Sequence, residues 1–150
     1  MNHEALKKFV ESGTENCNVL IVGDVILDKY YFGEVTRISP EAPVPINHVL
    51  EVKETLGGAA NVAHNLSLLG CKTFLAARIG SDSHGETLRK KITSRGIDFS
   101  LAAETSQPTT AKIRIISGHQ QMMRLDFEDT AEFDETAEEN FLSKILSSSA

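Results

Sequence analysis

The chain has 150 residues, 41% hydrophobic and 24% charged, the proportions of an ordinary globular domain long enough to bury a core. A formal charge of −6 excludes broad, non-specific binding to nucleic acid, which needs a basic footprint. Its apolar runs are only a few residues long and no signal-peptide pattern is present, so neither a membrane span nor membrane association is expected, and a cytoplasmic location is. Cys17, Cys71 and the five histidines lack metal-ligand spacing, so the cysteines read as reduced, buried thiols and no structural metal is expected.

Ala5, Leu6, Phe9 and Val10 recur at helical spacing before Gly13, which predicts an N-terminal helix over residues 3–12. Asn18–Asp24, "NVLIVGD", is a short continuous apolar run that reads as a strand buried on both faces. Tyr30–Val35 and Pro45–Val52 read as two strands flanking the proline-rich connector "RISPEAPVP". After "LGG", Ala59, Val62, Ala63, Leu66 and Leu69 form one apolar helix face, which Gly70 ends.

"KTFLAARIG" is a second buried-type strand. "SDSHGETLRKKITSRG" reads as a helix with a capping box from Ser83 to Glu86 and a stop at Gly96. Asp98–Ala102 is a candidate third strand, and a last helix is expected from near Thr136, capped to Glu139 and burying Phe141, Leu142, Ile145 and Leu146. Strands alternating with helices define an α/β layered sheet. No strand follows the last helix to complete another unit, so the domain is expected to continue beyond these residues.

Three constellations carry chemistry. Gly57 and Gly58 precede a helix where Ser or Asp would be the ordinary cap, with Asn61 beside them. Either the chain packs tightly there, or a polar ligand lies against the bare backbone and the free N–H groups of the first turn. Asp24 and Asp28 flank the end of the first strand, where ligands bind in open α/β sheets; they are hydroxyl acceptors or ordinary turn and surface carboxylates.

The third constellation follows from strand register. If Thr110–Ser117 and Gln121–Phe127 form a hairpin, their apolar faces match only when paired positions sum to an even number, as for Ile113 opposite Leu125. Arg114 then faces Arg124, and Lys112 faces Asp126. Two facing arginines are unfavourable without an anion between them, so the pair marks either a phosphate site or a solvated polar face. "GSDSHG" is explained by a capped strand-to-helix turn, and "DFEDTAEFDETAEE" by a solvated loop and helix start. Paired catalytic carboxylates, a nucleophile elbow, a Walker A sequence and a G-x-G-x-x-G turn are all absent from the sequence.

"GGAANVAHNLSLLG" followed by "CKTFLAARIG" resembles the N-terminal signature of the ribokinase-like (PfkB-type) carbohydrate kinases, with Gly57, Gly58, Asn61, Ala63, Gly70 and Gly80 at matching intervals. "VGDVILDKYYFG", "RISPEAPVP" and "TAKIRIISGHQQMMRLDFE" are most similar to the branch that phosphorylates a heptose 7-phosphate at O1 for ADP-heptose and lipopolysaccharide synthesis, often fused to an adenylyltransferase domain. The resemblance runs from about Asn18 to the last helix and implies a ribokinase-like layered sheet with helices on both faces and a small β lid at about residues 29–54. It implies that Asp28, Gly57, Gly58 and Asn61 bind the sugar, and that the lid makes a homodimer contact. Joined to the register argument, it makes Arg114, Arg124 and Lys112 a site for the sugar's phosphate, with Arg37 closing over it.

The family's C-terminal Gly-Ala-Gly-Asp motif, which carries the catalytic base, is missing, as is its nucleotide site. Residues 1–150 are therefore expected to be the N-terminal portion of one kinase domain, without a catalytic residue or a cofactor of their own, although the family's full-length enzymes use ATP and Mg²⁺. Two other readings stay open: a kinase of the same family for a different sugar or a nucleoside, and a non-catalytic sugar-phosphate-binding or dimerisation remnant.

Overall fold

Two strands of 14 residues each, paired antiparallel, set the frame onto which the rest of the chain is built. The computed structural model describes residues 17–129 and 135–148, together with His3, Glu4, Lys7 and Gly13. Its elements run β1 (Asn18–Val22), β2 (Val25–Ile38), β3 (Pro45–Gly58), α1 (Ala59–Leu68), β4 (Lys72–Ala76), β5 (Arg78–Gly80), α2 (Ser83–Thr93), β6 (Ala103–Thr105), β7 (Ala111–Ser117), β8 (Gln120–Phe127) and α3 (Glu135–Ser148). The helix expected over residues 3–12 lies mostly outside the described residues.

The strands form three groups: β1 parallel to β4, β5 parallel to β6, and a four-stranded sheet in the order β3-β2-β7-β8. In that sheet β2 pairs antiparallel with β3 and parallel with β7, and β7 pairs antiparallel with β8. The two strands expected at Tyr30–Val35 and Pro45–Val52 are thus the outer parts of a much longer hairpin, and the region 29–54 is only half of a sheet that β7 and β8 complete. β2 starts at Val25, straight after the Gly23-Asp24 corner. Asp98–Ala102 makes one bridge, Asp98 to Phe74, and the strand comes later, at β6.

The core lies where the base of the four-stranded sheet meets the helices. Leu27 of β2, Leu56 of β3 and Ala111 of β7 pack with Ala60 and Ala63 of α1, Leu75 of β4, and Leu88 and Ile92 of α2. Leu27, Leu75, Leu88 and Ile92 are fully buried, so truncating any of them to alanine removes packing worth about 2–5 kcal/mol. A smaller cluster joins Ile145 of α3 to Ala76 and Leu101, with Phe141 against it.

Several apolar positions expected inside are not. In β1, Leu20 and Val22 are 37% and 57% exposed, so this strand buries one face and not two. α1 buries its alanines, whose small side chains let the helix lie close to the sheet, while Val62 and Leu69 face outward. In α3, Leu142 and Leu146 are exposed beside the buried Ile145. The described residues place nothing over these faces. Cys71 is buried and Cys17 half-buried; both are free, and each immediately precedes the first β1–β4 rung, Asn18 to Lys72.

α2 is capped one residue earlier than the sequence pattern indicated. Asp82, not Ser83, is the N-cap, and it accepts the Gly85 N–H at 2.7 Å. The same carboxylate accepts the Thr109 N–H at 2.8 Å, tying the start of α2 to the entry of β7. Burial opposes ionisation of Asp82, but the N–H donors of Gly85 and Thr109 outweigh it and hold the carboxyl below its usual range. Glu86, freed from capping, pairs with Lys90 one turn on.

A second tie joins α2 to the hairpin. Glu54 of β3 lies 2.9 Å from Lys29 of β2 and 3.7 Å from Lys91 of α2, whose ammonium also donates to the Glu54 carbonyl. The Lys29 hydrogen bond is the largest influence on the Glu54 carboxyl; with help from Lys91 it overcomes burial and lowers the carboxyl below the ordinary glutamate value. A carboxyl lowered in the folded state stabilises the fold above its unfolded value, about 4.3, and that contribution is lost as the pH falls through the lower folded value. Glu54→Gln is expected to destabilise the chain by about 1–2 kcal/mol at pH 7 and to flatten the loss of stability below pH ~4.5, read by urea denaturation across a pH series.

Candidate functional site

The four-stranded sheet turns alternate side chains of β2 toward the core and away from it. Leu27 faces in, and Ile26, Asp28, Tyr30 and Phe32 share the other face. Register then determines their neighbours. Asp28 stands between Thr55 of β3 and Lys112 of β7, whose partner on β8 is Asp126. Two rungs along, Tyr30 stands between Lys53 and Arg114, and Arg114 faces Arg124. The hairpin register expected from pattern matching is therefore the one observed: Ile113 opposite Leu125, Lys112 opposite Asp126, Arg114 opposite Arg124.

Facing arginines repel unless something anionic intervenes, and here carboxylates do so. Arg114 donates a close, part-buried hydrogen bond to Asp28 Oδ1, and its guanidinium lies 5.2 Å from the centre of the Tyr30 ring. The Asp28 hydrogen bond is also the main reason that the Arg114 pKa is raised. Arg124 turns instead to Asp126, two residues along its own strand, with Nε and Nη2 donating to the two carboxylate oxygens at 2.8 and 2.9 Å. Lys112 lies 3.8 Å from Asp126 and 3.7 Å from Glu128. Tyr30 stacks on Phe32 with ring centres 6.0 Å apart, and Lys53 sits over the Phe32 ring.

The glycine pair has two separate structural reasons. Gly58 is the N-cap of α1 with φ 56° and ψ −138°, a conformation that side chains strongly disfavour, and it makes no side-chain cap bond. A Cβ there would also strike the Asp24 carbonyl oxygen, which accepts the Ala59 N–H at 2.8 Å. Gly57, paired with Ile26, leaves the space that Asp28 occupies: a Cβ would overlap Asp28 Oδ2. So Oδ1 is held by Arg114 while Oδ2 lies against bare backbone.

Asn61 is exposed in the first turn of α1, three residues beyond Gly58. Asp28, Gly57, Lys112, Arg114 and Arg124 thus share one sheet face, with Gly58 following Gly57 at the end of β3, while Asn61 lies on α1, whose alanines pack against the core. Arg37 does not join them. It lies within β2, seven residues past Tyr30 and so about 23 Å along the strand, beside a groove with Glu34, Asn47 and His48. Asp24 sits at the β1–β2 corner, beside a small cleft with Arg78 and Gln107.

Sequence reasoning missed two members of the face. Tyr30 carries no pattern signal, and Lys53 fell beyond the expected end of its strand. The Arg124–Asp126 pair was readable, because residues two apart in a strand share a face. Among the described residues no group of three or more His, Cys, Asp or Glu side chains is placed to hold a metal ion. Among the described residues no helix is long and apolar enough to cross a membrane.

A mixed sheet with flanking helices, carrying interleaved cations and carboxylates on one face, defines an α/β protein. Comparison with known proteins narrows this class. The model of the pfkB family carbohydrate kinases matches residues 17–149. A D-beta-D-heptose 7-phosphate kinase from Bordetella bronchiseptica is 46% identical over 114 residues, 76% of this chain and 36% of the relative. The bifunctional protein HldE of Actinobacillus pleuropneumoniae is 46% identical over 130 residues, 87% of this chain and 27% of that protein. In fold, the structure of Arabidopsis thaliana ribokinase complexed with ribose and ATP is similar with a TM-score of 0.59 at 18% identity, over 73% of this chain and 35% of that one. The chain belongs to the pfkB family of carbohydrate kinases and has the ribokinase-like fold. It spans about a third or less of the length of these relatives.

The two glycines make distinct predictions. Gly58→Ala is expected to destabilise the chain by about 2 kcal/mol or more, through a strained backbone and a clash. Gly57→Ala is expected to displace the Asp28 carboxylate, seen as altered chemical shifts at Asp28 and at the Arg114 Nε with the other strands unperturbed.

Proposed function

We propose that this chain is the acceptor-binding part of an ATP-dependent kinase that phosphorylates a heptose 7-phosphate at O1, in the synthesis of ADP-heptose. The observation that carries the reading is the placement of Asp28 Oδ2 against Gly57, two rungs from Arg114 and Arg124 on the same face. A carboxylate oxygen open beside bare backbone suits a sugar hydroxyl, and a neighbouring row of cations suits a phosphate remote from it. The names of the relatives support the same substrate, and the bifunctional ones support a second activity in a longer protein, which the sequence resemblance makes an adenylyltransferase.

The family's catalytic Gly-Ala-Gly-Asp motif is not in these residues, nor is a phosphate-cradling glycine loop. Among the described residues no group of three or more His, Cys, Asp or Glu side chains is placed to hold a metal ion, and no step of phosphoryl transfer is assigned to them. Their part is to bind and orient the acceptor, a contribution that converts an encounter into a positioned reaction. The outer hairpin, with Ile38, Val49, Leu50 and Val52 exposed, is the proposed surface of a homodimer in the cytoplasm.

Three measurements test the reading. Residues 1–150 alone are expected to form no ADP from ATP and heptose 7-phosphate; sugar-dependent ADP above a buffer blank overturns the division of labour. In a longer version carrying the rest of the kinase domain, Asp28→Ala is expected to weaken sugar binding by about 1–3 kcal/mol by calorimetry while leaving ATP binding unchanged. In that version Arg124→Leu is expected to raise KM for the phosphorylated sugar about tenfold with stability unchanged. Equal use of an unphosphorylated sugar or a nucleoside would move the chain to another branch of the family.

A further inference from the structure

We infer that Asp126 is an internal competitor for the phosphate subsite, a specificity-determining carboxylate that occupies the Arg124 fork until a phosphate monoester displaces it. The inference rests on the phosphate reading above and concerns how tightly that subsite binds. Its ground is the geometry of the sheet face. Arg124 presents Nε and Nη2 to the two oxygens of Asp126 at 2.8 and 2.9 Å, the same two-point arrangement by which a guanidinium holds two phosphate oxygens. Asp126 also lies 3.8 Å from Lys112, where Glu128 stands at 3.7 Å, so of Lys112, Arg114 and Arg124 this carboxylate screens two, Lys112 jointly with Glu128. The third, Arg114, is screened by Asp28.

The two carboxylates are not equivalent. The Arg114 and Asp28 side chains are 21% and 17% exposed and lie on neighbouring strands, with the Tyr30 ring under the guanidinium. Arg124 is 49% exposed, and its partner sits on its own edge strand. This pair, with Asp126 24% exposed, is more open to water than the Arg114–Asp28 pair and is the one that gives way. A dianion arriving at this face therefore displaces Asp126 from Arg124 and Lys112 while Arg114 stays anchored on Asp28. A monoanionic or neutral group gains too little from the exchange. Asp126 thus favours dianionic phosphate monoesters over weaker anions.

The test titrates inorganic phosphate into the 150-residue chain, followed by the Arg Nε and backbone amide resonances of β7 and β8. The wild type is expected to bind weakly at Arg124 and Lys112. Asp126→Asn, which keeps the size of the side chain and removes its charge, is expected to bind about tenfold more tightly, a factor equivalent to 1.4 kcal/mol. The gain is expected to vanish in Asp126→Asn combined with Arg124→Gln. Glu86→Gln, which removes one negative charge on α2 far from the face, is expected to change nothing; an equal gain there would mean a net-charge effect and overturn the inference. Unperturbed resonances in β1 and β4 verify that each variant is folded, and Asp126→Ala serves in place of a variant that is not. Phosphate binding at the arginines that Asp126→Asn leaves unchanged or weakens overturns the role of Asp126 while the phosphate subsite stands. No binding at the arginines in either protein overturns both.

Discussion

The Asp28 carboxylate is pressed between the backbone of Gly57 and the guanidinium of Arg114, and both contacts require β2 to pair with β3 and β7 at once. The same pairing brings Leu27, Leu56 and Ala111 together on the opposite face, at the centre of the core. A slip of one residue in either ladder would turn polar side chains inward and apolar ones outward. Packing of the core therefore holds the acceptor carboxylate in place, and the site needs no separate scaffold. Asp82 at the start of α2 and Glu54 of β3, which pairs with Lys91 of α2, reinforce the arrangement, one anchoring the entry of β7 and the other the β2–β3 hairpin.

How much of this was legible depended on the range of the interaction. The β7–β8 register could be read because the connecting turn is short and the apolar alternation admits few pairings, so Arg114 opposite Arg124 followed from parity. The helices were readable from period and punctuation, although Ser83 and Asp82 are both good caps and only the geometry of Gly85 and Thr109 decides between them. The Asp28–Arg114 pair was not legible. It depends on β2 lying parallel to β7 across a crossover that contains most of the other elements, and no local pattern encodes that neighbour. The partners that turn the facing arginines into a neutral network were hidden for the same reason, except Asp126.

Apolar periodicity also overstated burial, in a consistent way. Leu20, Val22, Val62, Leu69, Leu142 and Leu146 all sit where the pattern predicts a core, yet all are exposed. Pattern reports which residues a chain can bury, whereas burial requires a second surface to meet them. In α1 that surface is met by Ala60 and Ala63, because the glycine turn brings the helix too close to the sheet for anything larger.

The position of β8 at the margin of its sheet has another consequence. A margin strand leaves a row of backbone N–H and C=O groups unpaired, and its outward residues Met123, Leu125 and Phe127 are between 41% and 57% exposed. Such a strand is a template for addition of a strand from another chain, the first step of ordered aggregation. Arg124 and Asp126 interrupt it. A newcomer lying alongside would have to set its own side chains against a fixed pattern of opposite charges, and an uncharged strand would leave both ions partly stripped of water. The ion pair on one face of β8 thus also keeps the strand from recruiting its own kind.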